Sequence, residues 1–126
     1  MINWAILLGL LWASSALACD TTGKPLISLD KDAPPVEVFL EDMKLAQPFS
    51  VQIKVCDHVD VIKLDVDAIM PAHQHGLNYT PTIIDVGDGV FRVDGMLFHM
   101  PGIWEIRVNL TQETGVIHYT RTATLR

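Results

Sequence analysis

Along most of the chain, apolar residues recur at every second position. Phe49, Val51, Ile53 and Val55 alternate with Ser50, Gln52 and Lys54, the pattern of a strand with one face against a core. Ile62, Leu64, Val66 and Ala68 alternate with Lys63, Asp65 and Asp67, and Trp104, Ile106 and Val108 with Glu105, Arg107 and Asn109. Val36, Val38 and Leu40 keep the same period, blurred by Phe39. The last such stretch, 116–125, places Ile117, Tyr119, Ala123 and Leu125 on one face. Thr80 to Val86 reads as a further strand, with Pro81 near its start marking a sheet edge. Val90 to Val93 follows it through Gly87-Asp88-Gly89, a tight-hairpin signal. Beyond the N-terminal segment no window of helical length carries a 3.6-residue apolar stripe, and 41–46 has room for one turn at most.

Strands at 36–40, 49–55, 61–68, 80–86, 90–93, 104–110 and 116–125, evenly spaced with turn signals between them, predict an all-β fold. The expected architecture is an immunoglobulin-like antiparallel β-sandwich of about seven strands, with Trp104 as a buried anchor. Residues 36–126 make one domain. Residues 19–35, with Gly23, Pro25, Pro34 and Pro35, read as a linker that includes a short strand at 26–29.

The N-terminus changes the picture of where the domain works. Residues 1–18 carry no charged side chain and are mostly apolar, ending in Ala16-Leu17-Ala18. Small residues there look like an export cleavage site, and a retained anchor is the competing reading. Cleavage would make Cys19 the first mature residue. Ala-Leu-Ala-Cys resembles a bacterial lipoprotein box, with the leucine one place late. Cys19 is therefore either lipidated, tethering the domain to a membrane, or paired with Cys56, the only other cysteine. Either fate places the domain outside the cytoplasm, in a periplasmic or equivalent compartment.

A net charge of -6 and a pI near 5.1 leave no basic patch for nucleic acid or for an anionic membrane surface. What stands out is a concentration of histidine and methionine. Met70-Pro-Ala-His-Gln-His-Gly76 and Gly95-Met-Leu-Phe-His-Met-Pro-Gly102 hold three of the five histidines and three of the five methionines in 15 of 126 residues. If successive strands alternate in direction, the connections after the first, third and fifth strands share one end of the sandwich. Met43, then Met70, His73 and His75, then Met96, His99 and Met100 would meet there. Imidazole with thioether is a donor set for a soft or borderline ion, and copper suits it better than zinc, for which thiolates or carboxylates would be expected. His73, His75, His99, Met100 and Met96 are the candidate ligands. Packing competes for the methionines, which fill irregular core gaps: Met96 is as readily a plug of the sandwich as a ligand, and Met43 and Met70 read as packing residues. His58 and His118 read as ordinary surface residues.

Met70 to Gly76, followed by Phe91-Arg-Val-Asp-Gly-Met-Leu-Phe-His-Met-Pro-Gly-Ile-Trp104, resembles the bacterial YtkA-like domain family, itself similar to FixH-like proteins. The resemblance covers roughly 36–108, and its most specific part is Phe98-His-Met-Pro-Gly-x-Trp104. It implies an exported or membrane-tethered immunoglobulin-like sandwich with no established catalytic activity, and His73, His75, His99 and Met100 as motif positions. For the FixH-like proteins a role in copper handling during oxidase assembly is proposed, so the implied partner is a copper-receiving protein or an oxidase assembly factor.

Two functional expectations follow. The first is a non-enzymatic exported copper-binding protein, a chaperone or buffer. The second is a structural or protein-binding module without metal, in which His99 hydrogen-bonds to protein groups through both ring nitrogens and the rings of His73 and His75 point away from it. A hydrolase has little support, since no Ser or Cys lies in a nucleophile's context and no acid is placed to orient a histidine.

Overall fold

A computed structural model describes residues 23–57 and 59–126. The export segment, Cys19 and His58 lie outside the described residues. The elements are β1 (Lys24–Pro25), β2 (Ile27–Ser28), β3 (Val36–Leu40), β4 (Phe49–Val55), β5 (Lys63–Met70), β6 (His75–Gly76), β7 (Thr82–Gly87), β8 (Val90–Met96), β9 (Gly102–Gln112) and β10 (Gly115–Leu125). Helix is absent among the described residues.

The period-two pattern is realised as burial. Phe49, Val51, Ile53 and Val55 of β4 face inward, as do Leu64, Val66, Ala68 and Met70 of β5 and Trp104, Ile106, Val108 and Leu110 of β9, while Lys63, Asp65 and Asp67 face solvent. These faces close on one another in a single continuous core, with the aliphatic side chains supplying the area removed from water.

Two five-stranded sheets form, ordered β1-β3-β4-β8-β7 and β2-β10-β9-β5-β6, with every pairing antiparallel. Taking β3, β4, β5, β7, β8, β9 and β10 as strands A to G, the orders are A-B-E-D and G-F-C, those of an immunoglobulin constant-type sandwich. The seven expected strands are all present, and β7, which begins just after Pro81, is an edge strand as expected.

The differences lie at the ends of strands. β5 runs on to Met70 because its last two residues pair with β6, and β8 runs on to Met96 because that residue pairs with Phe49 across a bulge. Part of the proline-rich stretch expected as linker joins the sandwich. β1 pairs with β3 in one sheet and β2 with β10 in the other, with Leu26 buried between them. One short segment thus bridges both sheets, and Arg121 Nη1 donates to Pro25 O at 2.9 Å to hold it. Further along, Tyr119 Oη donates to Pro34 O at 2.7 Å, and Cys56 N to Pro35 O at 2.9 Å. Cys56 is buried and disulfide-bonded.

The β7–β8 hairpin turns through Asp88 and Gly89, with φ of 53° and 76°, the paired positive values that a two-residue type I′ turn demands. Gly89 O accepts from Val55 N at 2.8 Å, and a Cβ on Gly89 would run into Val55 O. Gly87 also has positive φ, 97°, but open space around it. Gly89→Ala is expected to destabilise by about 2 kcal/mol or more and Gly87→Ala by about 1 kcal/mol, since only the first adds a backbone clash to the strain. Urea denaturation of the two variants measures the contrast; equal losses would remove the close approach as the cause.

Burial of Tyr119, reinforced by the charge of Asp30, pushes the phenol's pKa up to about 12 from 10.0. Below pH 10 both folded and unfolded chains hold this proton, and between about 10 and 12 only the folded chain does. Stability from this group therefore falls as pH rises through that window, by about 1 kcal/mol at pH 11. Tyr119→Phe should be less stable than wild type at pH 8 through the lost bond to Pro34, with the gap closing by pH 11. Urea midpoints at the two pH values read this out, and a constant gap would exclude the linkage.

Candidate metal site at one end of the sandwich

The first histidine segment is a hairpin. Met70 ends β5, Pro71 takes the second position of a turn whose fixed φ it suits, and His73 N donates to Met70 O at 3.2 Å. Gln74 then adopts φ 53°, which returns the chain so that His75 pairs with Met70 and Gly76 with Ile69. His73 and His75 are consequently presented on an exposed hairpin tip, ring centroids 6.3 Å apart and 31° from parallel.

The second segment is the crossing from β8 in one sheet to β9 in the other. Phe98 is fully buried and stacks on Trp104, centroids 4.4 Å apart and 5° from parallel. Its other neighbour is Phe49, edge-on at 5.0 Å. The β3–β4 connection is tied to the same residue, Ala46 N donating to Phe98 O at 2.9 Å. The indole Nε1 of Trp104 donates to Met100 O at 3.0 Å. His99 sits between these two fixed residues, half-buried, its ring 5.5 Å from Trp104 and 75° from parallel with it.

The two segments converge. The rings of His75 and His99 are 6.1 Å apart and nearly perpendicular at 84°. His99 Nδ1 is buried and has no hydrogen-bond partner, the opposite of what a histidine held by protein groups through both nitrogens displays. An unpaired buried polar atom costs roughly 1–3 kcal/mol, and a proton donor or a metal ion at that atom would offset it. Gly102 allows the segments to approach: its φ is 131°, and a Cβ there would lie 2.8 Å from Met70 Cε.

With nitrogen–metal bonds near 2 Å, two imidazoles sharing an ion have centroids no more than about 6 Å apart. Both measured separations stand at that outer limit. Among the described residues no three His, Cys, Asp or Glu side chains are close enough together to hold an ion, so capture would need the hairpin imidazoles to turn inward or a thioether to complete the set. Both histidines on the hairpin are exposed.

The methionines divide by burial. Met96 is 0% exposed and belongs to the core cluster, as Met70 does, whereas Met100 and Met43 are partly buried and packed on its margin. The burial of Met96 fits the packing reading, and Met100 is the thioether adjacent in sequence to His99. His118 is an exposed residue of β10, its Nδ1 2.6 Å from Asn109 Oδ1. Local sequence reading treated Trp104 only as a core anchor and missed its polar role. The spacing Phe98-x-Met100-x-x-x-Trp104 was visible, but an indole reaching back to a carbonyl emerges only once the crossing is folded.

Comparison with protein-family models, with curated proteins and with solved structures finds no match to this chain.

Proposed function

We propose that this is an exported, non-enzymatic copper-binding protein, a chaperone or buffer, whose ligands are His73 and His75 from the β5–β6 hairpin with His99 and Met100 from the β8–β9 crossing. Met96 backs the site from the core. The observation that carries this reading is the meeting of His75 with His99, 6.1 Å apart from separate segments, with the buried Nδ1 of His99 unpaired. Imidazole with thioether favours copper over hard cations, and Cu(I) in particular accepts soft sulfur. The disulfide at Cys56 supports an oxidising compartment. With two cysteines in the sequence, a bridge closed within one chain would use Cys19, whose sulfur would then be unavailable for lipid. The motif resemblance to YtkA-like domains agrees with this reading and suggests a copper-receiving or oxidase-assembly protein as partner.

The alternative, a structural or protein-binding module without metal, draws on the lack of any closed three-ligand group among the described residues and on the bonds that brace the crossing. The two readings separate on titration of the purified protein with Cu(I) and Cu(II), beside a His73→Ala/His75→Ala/His99→Ala variant. The copper reading expects one ion per chain in the wild type and at least a hundredfold weaker binding in the variant. Equally weak uptake by both proteins would leave the module reading.

A further inference from the structure

The copper reading names ligands but leaves open what sets their geometry. We infer that Trp104 is the positioning residue of the site, a role that rests on that reading. Its indole holds three consecutive residues of the crossing by three different contacts. It stacks face to face on Phe98 at 4.4 Å, stands 5.5 Å from the ring of His99 at 75°, and donates Nε1–H to Met100 O at 3.0 Å. Trp104 itself is 0% exposed and is fixed in β9 by pairing with Ala123. The β8–β9 crossing therefore has one rigid wall along the length that bears the two candidate ligands.

The consequence for binding is specific. A half-buried imidazole on an unbraced connection samples many ring orientations, and copper would have to select one. With the backbone pinned on both sides and the indole against its ring, His99 is held in place before any ion arrives. Outer-shell groups that orient a metal-binding histidine are worth about 10- to 100-fold in metal affinity, which sets the scale for the indole's contact with His99. The hairpin histidines lack such a brace and are exposed, so Trp104 acts on His99 and Met100 and leaves His73 and His75 untouched.

Trp104→Phe keeps an aromatic ring for Phe98 and removes the donor to Met100. Phe98→Leu keeps the donor and removes the stack, and it serves should the first variant fail to fold. Each is compared with wild type and with the same change in a His99→Ala background, by copper competition titration, by the nitrogen couplings in the Cu(II) electron paramagnetic resonance spectrum, and by thermal melting of the metal-free protein. The expected result is a loss of about tenfold or more in affinity with altered nitrogen coupling, and a clearly smaller loss once His99 is alanine, since only the part acting through Met100 remains. Unchanged affinity in a folded variant, or the same loss in both backgrounds, overturns the positioning role while the wild type still binds copper. A wild type with no histidine-dependent copper uptake overturns the copper reading and this inference with it.

Discussion

The contact on which the rest depends is the run of three aromatic rings from Phe49 through Phe98 to Trp104. Phe49 belongs to one sheet and Trp104 to the other, and Phe98 is the residue of the crossing between them that packs edge-on against the first and flat against the second. Each such pair contributes about 0.5–1.5 kcal/mol beyond the area it buries. Position matters more than that sum, because the rings close the core at the end where the chain must leave one sheet for the other. An unbraced crossing there would open the aliphatic interior to water.

That closure also shapes the site. The connection carrying His99 and Met100 is bounded by a buried ring at Phe98 and by an indole bonded to Met100 O. The hairpin opposite is held by the two residue pairs of β5 with β6 and by the turn bond from His73 N to Met70 O. Two candidate ligands, His99 and Met100, are therefore anchored at the margin of the core and two stand on an exposed tip. In the copper reading this asymmetry suits a protein that must release its ion as well as take it, since exposed ligands can be exchanged for a partner's while the anchored pair keeps the site's location.

The strands were legible in the sequence because period-two alternation with charged residues on the outer face admits little else. The convergence of the two histidine segments was legible for a simpler reason: in antiparallel order, every second connection shares an end, whatever the side chains. What could not be read was anything depending on packing. The bridging segment 24–28 has prolines and a glycine nearby, and its single buried residue, Leu26, makes no period. Met96 extends its strand through a pairing partner distant in sequence, Phe49, and Met70 extends its strand through a turn that returns His75 beside it, which depends on Gln74 adopting a positive φ. Ring separations, the unpaired Nδ1 of His99 and the Trp104 bond to Met100 all follow from how the crossing is seated.

The motif Phe98-His-Met-Pro-Gly-Ile-Trp104 then has a physical rationale that neither composition nor spacing supplies alone. Its two aromatic ends meet inside the core, so the five residues between them are forced into a closed excursion. Pro101 and Gly102 bring the chain back, the glycine at a φ of 131° and close over Met70. His99 and Met100 occupy the part of that excursion left at the surface margin. Met96 lies before the first anchor and shares the fate of the strand it ends, full burial. A thioether there fills the core through dispersion contacts, and in the copper reading the donors left to an arriving ion are those that the aromatic closure holds outside the core.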